Sequence, residues 1–395
     1  MAIEMRILWA VSSVGKGHIM RDIAIFNRLQ RLTDVEVDWL VPDPGGEFMR
    51  IRGYNVLDHS GLLSGSGKVY AQVFDSRTNE HNLMRYTKAD TRLHKHDFFV
   101  SKKAWEDKAY NVIIGDEAFW LLTGFASRWA KKPAPFIFLT DFIGVKSMQP
   151  DVFDNLFAWY NNLKFTMSFL GPDIYIYIGY AEEIPDEPMG FLLPNRRSWA
   201  RRHCRFVRPV VGFDPETLPD KSTLREQLGL PVHKSLFIAT VGPEGGAYKR
   251  VTDIESVLEL LRSDYPDAHF VMVSPEAGRK DWIQYHGYLD ELYKYFAAAD
   301  FVLTQSGYGK VAELAATGTP FIAVPLDFHF EQEYVMAHRL DHYGVGKIVT
   351  LRNNSPETIA AMALQLMGQG GRRLSVDDGT EVACIILEAG KHTSA

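Results

Sequence analysis

Cysteine is scarce in this sequence. Only two occur in 395 residues, Cys204 and Cys384, with no metal-ligand spacing between them. That excludes a disulfide framework and a cysteine-built metal centre, and a reducing cytoplasm is the compartment that fits. Long apolar runs are missing too, so no stretch reads as a bilayer span. The apolar segment Ile7–Val14 is short, has no basic segment before it, and leads into Gly15-Lys16-Gly17-His18. It reads as a first strand rather than a signal peptide. Positive charge is not in excess: 43 Lys and Arg stand against 49 Asp and Glu, a net charge of -6. This argues against general nucleic-acid binding. What is present is ordinary for a globular enzyme, 46% hydrophobic and 23% charged, over a length that suggests two or three domains.

The chain alternates strand and helix patterns, the logic of βαβ units and parallel sheets. Strands are expected at Met5–Ser12, Val35–Val41, Tyr54–Leu57, Asn111–Gly115, Pro135–Leu139 and Ile174–Ile178. Helices are expected at Ile19–Leu32, Phe48–Arg52, Thr78–Lys108 and Phe119–Trp129, with a mobile Gly/Ser loop over Gly61–Lys68. Leu156–Leu170 is aromatic and apolar but reads as broken by Asn161, Asn162 and Lys164. Six arginines crowd into Arg196–Arg208, and Val207–Pro215 reads as a linker. The alternation then restarts, with strands at Ser235–Val241, His269–Ser274, Trp282–His286, Phe301–Thr304, Phe321–Val324 and Val345–Val349, and a last helix at Glu381–Ala389.

The stretch Asp300–Glu333 organises the rest. A strand, Phe301–Thr304, runs into the turn Ser306-Gly307-Tyr308-Gly309, then a helical pattern Lys310–Thr317 stopped by Gly318, then a second strand. Glycines let a ligand approach the backbone, and the helix start offers free N–H groups and partial positive charge, which suits a diphosphate. Glu313 follows on that helix, and a carboxylate can accept both hydroxyls of a ribose. Glu331 and Gln332 open the next helix at the same sheet edge.

The order Ser306-Gly307-Tyr308-Gly309, Glu313, Gly318-x-Pro320, Pro325 and Glu331-Gln332 resembles the nucleotide-sugar site of GT-B glycosyltransferases. The likeness is to the branch holding the peptidoglycan N-acetylglucosaminyltransferase, the plant galactolipid synthases and the UDP-glycosyltransferases. It implies an α/β chain of two Rossmann-like parallel-sheet domains facing across a cleft. Residues 1–206 would bind the acceptor and 207–376 the nucleotide sugar, while 377–395 would form a helix returning to the first domain. It also implies an inverting transferase that uses a nucleotide sugar, UDP by preference, and no cofactor.

Gly15-Lys16-Gly17-His18 is not a Walker loop, because no Ser or Thr follows the Lys. It looks like the Gly-x-Gly-His loop of the same branch. His18 would start a helix, whose dipole favours a neutral ring able to accept a proton. A general base is the functional reading, and a capping or packing histidine the plain one. Asp116, ending a strand on the same edge, could orient His18 or merely cap the next helix; Glu117 and Asp141 also end strands there. Gly242-Pro243-Glu244-Gly245-Gly246 could approach a phosphate or be an ordinary turn. Tyr288 and Leu289 lie in a segment that resembles the uracil-holding one, and Glu331 and Gln332 match the acidic–Gln pair that bonds sugar hydroxyls. Asp327 and His329 are near. Two departures touch the phosphate contacts: Gln305 stands where many relatives carry His, and Lys310 where they carry Ser. Asp-x-Asp, the metal-holding pair of the other major glycosyltransferase fold, occurs nowhere. Leaving-group stabilisation by helix dipole and N–H groups, without metal, agrees with that.

Two rivals stand beside transfer. Gly17-His18-Ile19-Met20-Arg21-Asp22 also resembles the UDP-sugar hydrolase of pseudaminic acid synthesis, which uses water as acceptor, and a non-catalytic nucleotide-sugar binder would share the pocket. The acceptor, small molecule or lipid, is not legible. Leu156–Leu170 and Arg196–Arg208 could touch an anionic membrane, or be cleft wall and solvated surface.

Overall fold

The computed structural model describes residues 5–12, 16–65, 74–75, 80–81, 83–149, 151–242, 247–275, 280–367 and 372–391. Its strands are β1 Met5–Val11, β2 Val35–Leu40, β3 Phe74–Asp75, β4 Glu80–His81, β5 Val112–Asp116, β6 Phe136–Thr140, β7 Ile174–Ile178, β8 Cys204–Val207, β9 Leu236–Thr240, β10 His269–Val273, β11 Ile283–His286, β12 Phe301–Gln305, β13 Phe321–Val324 and β14 Lys347–Ile348. The short pair β3–β4 is antiparallel. The others form two six-stranded parallel sheets, ordered β2-β1-β5-β6-β7-β8 and β11-β10-β9-β12-β13-β14. Strands β5, β6, β9 and β12 are buried at every residue, as the unbroken apolar runs of a helix-covered parallel sheet require.

The chain divides into two compact units, 1–73 with 83–213 and 377–395, and 74–82 with 214–376. In the first, Trp9 stacks on Trp39 at 5.0 Å, and Phe98, Phe125, Phe136 and Phe138 fill the other sheet face. The C-terminal helix Thr380–Lys391 belongs to this unit and packs on helix Gly17–Leu32. Val211 N donates to Asp377 O at 2.9 Å and leads the chain into it. In the second unit, Phe237 stacks on Phe270 at 5.1 Å above Ile254, Leu258 and Leu261.

Local readings needed correction. Tyr54–Leu57 is not a strand; it makes one isolated bridge, Trp39 to Val56, before a 3-10 turn at Asp58–Leu62 takes over. The helix expected from Thr78 is described from Leu83 to Asp107. Residues 66–68 of the expected Gly/Ser loop lie outside the described residues. The segment expected to break at Asn161 and Asn162 is a continuous helix, Val152–Thr166, capped by Asp151. Asn162 is tolerated because it has partners off the helix: Oδ1 accepts from Val145 N at 2.7 Å, and Nδ2 donates to Val145 O at 2.8 Å and Met189 O at 2.6 Å. The arginine run is a helix, Arg196–His203, that leads into β8, the last strand of the first sheet. Position 207 therefore sits in a strand, and the first unit runs on to Phe213. No helix among the described residues is long and apolar enough to cross a membrane.

Strand order fixes where each unit can hold a ligand. β1 lies between β2 and β5, and β9 between β10 and β12, so the order of strand addition reverses at β1/β5 and at β9/β12. Crevices open at the carboxyl ends of strands at such points.

Candidate active site

At the first reversal point, helix Gly17–Leu32 begins just after β1, and β5 ends in Asp116. Gly17 is exposed, with open space where a Cβ would sit; Gly15 lies outside the described residues. His18 Nδ1 lies 3.3 Å from Asp116 Oδ1. On the ring's other side, Nε2 is 3.6 Å from Glu117 Oε2. The pairing expected of His18 and Asp116 is therefore present, with a second carboxylate added. Residues three apart on a helix share a face, and Arg21 duly joins the cluster. Its Nη2 donates to Asp116 Oδ1 at 2.5 Å, its Nε to Asp116 Oδ2 at 3.2 Å, and its Nη1 to Asp141 Oδ2 at 2.7 Å. Sequence reasoning left Arg21 without a role. The i, i+3 spacing from His18 was the available signal.

This charge set overturns one expectation. The ring was expected to be neutral, held so by the helix start. Burial and Arg21 do push the imidazolium down, but the carboxylates of Asp116 and Glu117 outweigh them, and the His18 pKa rises to about 9. The ring is therefore mainly protonated at pH 7. Asp116 shows the reciprocal effect. Burial would raise it, yet Arg21 and His18 hold it down at about 2. Asp22 is fully buried, and burial together with Asp116 raises its carboxyl well above the ordinary value.

The second unit carries the other predicted residues. Gly307 is extended, and the helix after it spans Tyr308–Thr317, starting two residues earlier than expected. Gly307, at the cap position, has no side chain to cap it. Its first N–H groups and its dipole are the available anion site. Ser306 is buried, and its hydroxyl donates to Gln332 O at 2.7 Å. Tyr308 is also buried, with the Arg339 guanidinium 4.3 Å over its ring. Gly307, Gly309 and Lys310 are thus the more accessible part of the motif. Glu313 lies on the same helix and is half-buried; burial, only partly offset by Lys310, pushes its carboxyl up to about 8.

Neighbouring loops are tied to this helix start. Gly242 N donates to Gln305 Oε1 at 2.7 Å, so the residue that replaces a histidine bridges the ends of β9 and β12. Gln305 Nε2 is 3.5 Å from Gln332 Oε1, which also accepts from Leu326 N at 3.1 Å. The Gln332 side chain therefore shapes the loop after β13. Glu331 beside it is half-buried. Phe328 in that loop has φ 60, and Arg352 clamps it: Nη1 donates to Asp327 at 3.1 Å and Glu333 at 2.8 Å while the guanidinium lies 4.5 Å over the Phe328 ring. His329 Nδ1 accepts from Gln332 N at 3.3 Å. Tyr288 and Leu289 follow β11 at the same sheet edge, with Tyr288 42% exposed. Gly245 and Gly246 lie outside the described residues.

Comparison with known proteins agrees with this geometry. Residues 255–379 match the glycosyltransferase family 28 C-terminal domain. An uncharacterized glycosyltransferase of Methanopyrus kandleri is 28% identical over 44% of this chain and 50% of its own length. The UDP-N-acetylglucosamine–N-acetylmuramyl-(pentapeptide) pyrophosphoryl-undecaprenol N-acetylglucosamine transferase of Proteus mirabilis is 32% identical over 26% of this chain and 31% of its own. The matched region thus spans half or less of these relatives. Over 99% of the chain, the fold is similar to the crystal structure of the glycotransferase of kitacinnamycin, with TM-score 0.62, 12% identity and 96% of that chain covered. Residues 255–379 thus resemble the C-terminal domain of glycosyltransferase family 28, and the chain around them has the GT-B fold.

Proposed function

We propose that this protein moves a sugar from a nucleotide sugar, with UDP as the nucleotide, to an acceptor hydroxyl, with inversion and without a metal ion. The observation that carries the reading is the uncapped helix start at Gly307–Tyr308, with Glu313 on the same helix, inside a family 28 domain. The diphosphate would sit on the helix N–H groups with Lys310 adding charge, and Glu313 would hold the ribose. Tyr288 and Leu289 would lie along the base, and Glu331 would bond the sugar. The His18–Asp116 centre would deprotonate the acceptor hydroxyl, whose oxygen attacks the anomeric carbon as the nucleotide leaves. The Proteus mirabilis relative, named for UDP-N-acetylglucosamine and an undecaprenol-linked acceptor, supports UDP and a lipid-linked acceptor.

A donor screen tests this. Purified protein incubated with UDP-, dTDP- and GDP-sugars should release UDP only when a cell-extract acceptor is added. Rapid UDP release without acceptor would instead establish the hydrolase reading. UDP binding with no release under any condition would leave a nucleotide-sugar binder.

A further inference from the structure

Glu117 is shaped for a task beyond ending a strand. Its backbone is left-handed, φ 47, a region that costs a non-glycine residue of order 1 kcal/mol. Its side chain is 7% exposed. One oxygen is anchored to the end of β6: Oε1 accepts from Thr140 Oγ1 at 3.2 Å and from Asp141 N at 3.3 Å. The anchor leaves Oε2 aimed at His18 Nε2, 3.6 Å away. That distance is too long for a good hydrogen bond, and an oxygen bridging the gap at about 2.8 Å from each would sit roughly 2 Å off the line joining them. The opposite nitrogen, Nδ1, lies 3.3 Å from Asp116 Oδ1 and 2.8 Å from Arg21 Nη2.

Building on the sugar-transfer reading, we propose that the acceptor hydroxyl occupies this gap and that Glu117 is a catalytic residue, taking up the hydroxyl proton jointly with His18. The resting pair holds one proton, on the ring. As the acceptor O–H bond breaks, its oxygen bonds the anomeric carbon, and the carbon–diphosphate bond breaks with its electron pair leaving on the diphosphate. The freed proton stays on the pair, which then holds two: the imidazolium and a Glu117 carboxylic acid. Net uptake is on Glu117 whichever of the two first meets the hydroxyl. The groups that face the ring are Asp116 and Glu117 from the end of β5 and Arg21 from its own helix, with Asp22 and Asp141 behind them.

The test is the pH profile of kcat/KM for nucleotide release in wild type and Glu117→Gln, with UDP affinity as the check on folding. A pair with room for a second proton works while the ring is protonated, so wild type should be flat from pH 7 to about 9. E117Q must wait for a neutral ring. Its kcat/KM should fall roughly 10-fold or more at pH 7 and recover with rising pH, through a midpoint below the wild-type ring value of about 9 because one carboxylate is gone. Its UDP Kd should stay within about twofold, since the substitution is outside the nucleotide site. An active wild type whose kcat/KM climbs tenfold per pH unit up to about 9 overturns the role of Glu117, as does an E117Q that parallels wild type within about twofold. A wild type that releases no nucleotide from any donor overturns the sugar-transfer reading and this proposal with it.

Discussion

Single residues set the charge state of the site in the first unit. Asp116 is central: it bonds Arg21 twice and faces the His18 ring, with no solvent exposure of its own. An opposite charge at that distance in a buried site is worth more than one pH unit. Asp116→Asn should therefore lower the His18 pKa from about 9 by at least about 1 unit, because burial and Arg21 both press it down. Titration of the His18 ring by NMR in the ligand-free protein measures this; an unchanged midpoint would mean Glu117 alone sets it. His18 and Asp116 were legible in the sequence because a histidine after a glycine-bearing turn and an acid at a strand end belong to one sheet edge by topology. The neutral ring was misjudged for a physical reason. A helix start contributes a fraction of a charge, whereas two carboxylates contribute two, and only coordinates count how many converge. Ser306 and Tyr308 illustrate the same limit. The motif was visible in the sequence, but not that both side chains turn inward and leave the backbone to meet a ligand.

Elements followed the apolar periodicity wherever it was uniform. β7 and β13 match their expected spans, since Ile174–Ile178 and Phe321–Val324 are short apolar runs between clear turns. Misreadings fell where polar residues occur inside elements. Asn161 and Asn162 look like a helix break, yet Asn161 bonds back to Phe157 O, four residues earlier, and Asn162 satisfies three groups of two neighbouring loops. Losing Asn162 takes a partner from each, though Val145 O still accepts from Arg196 Nη2 at 3.3 Å, and a buried group left without a partner costs about 1 to 3 kcal/mol. Asn162→Ala should destabilise the first unit by about 2 to 4 kcal/mol in urea unfolding, while Asn161→Ala should stay within about 0.5 kcal/mol. Equal effects would show that the helix, rather than the bonds to Val145 and Met189, is what Asn162 supports. The arginine run hid a helix and β8 in a similar way, because its charge is neutralised locally.

On the scale of the whole molecule, the surface of the first unit is uneven. Helix Val152–Thr166 exposes Val152, Phe153, Leu156, Tyr160 and Leu163, and the turn at Phe191–Leu192 is 79% and 87% exposed. Trp159 Nε1 donates to Phe191 O at 2.9 Å, so turn and helix form one patch. Five of the six arginines of Arg196–Arg208 have partners within the chain. Arg196 is buried on Ile143 O, and Arg197, Arg201, Arg205 and Arg208 pair with Asp186, Glu182, Glu388 and Glu381. Membrane contact, if this protein takes a lipid acceptor, rests on apolar insertion rather than on those charges. We predict that Phe153→Asp with Leu156→Asp abolishes co-sedimentation with phospholipid vesicles, whereas Arg201→Ala and Arg205→Ala together leave it unchanged. Binding that survives the paired aspartates and vanishes in high salt would reverse the assignment.

One side chain in the second unit has a reach out of proportion to its size. The carboxamide of Gln305 touches Gly242 on one side and Gln332 on the other, so the exits of β9 and β12 and the turn that follows β13 are stitched by a single group. An imidazole at that position has two ring nitrogens to share, and spending one on a phosphate leaves a single stitch. Here the amide holds both threads, and a pull on any one of the three segments is transmitted to the other two.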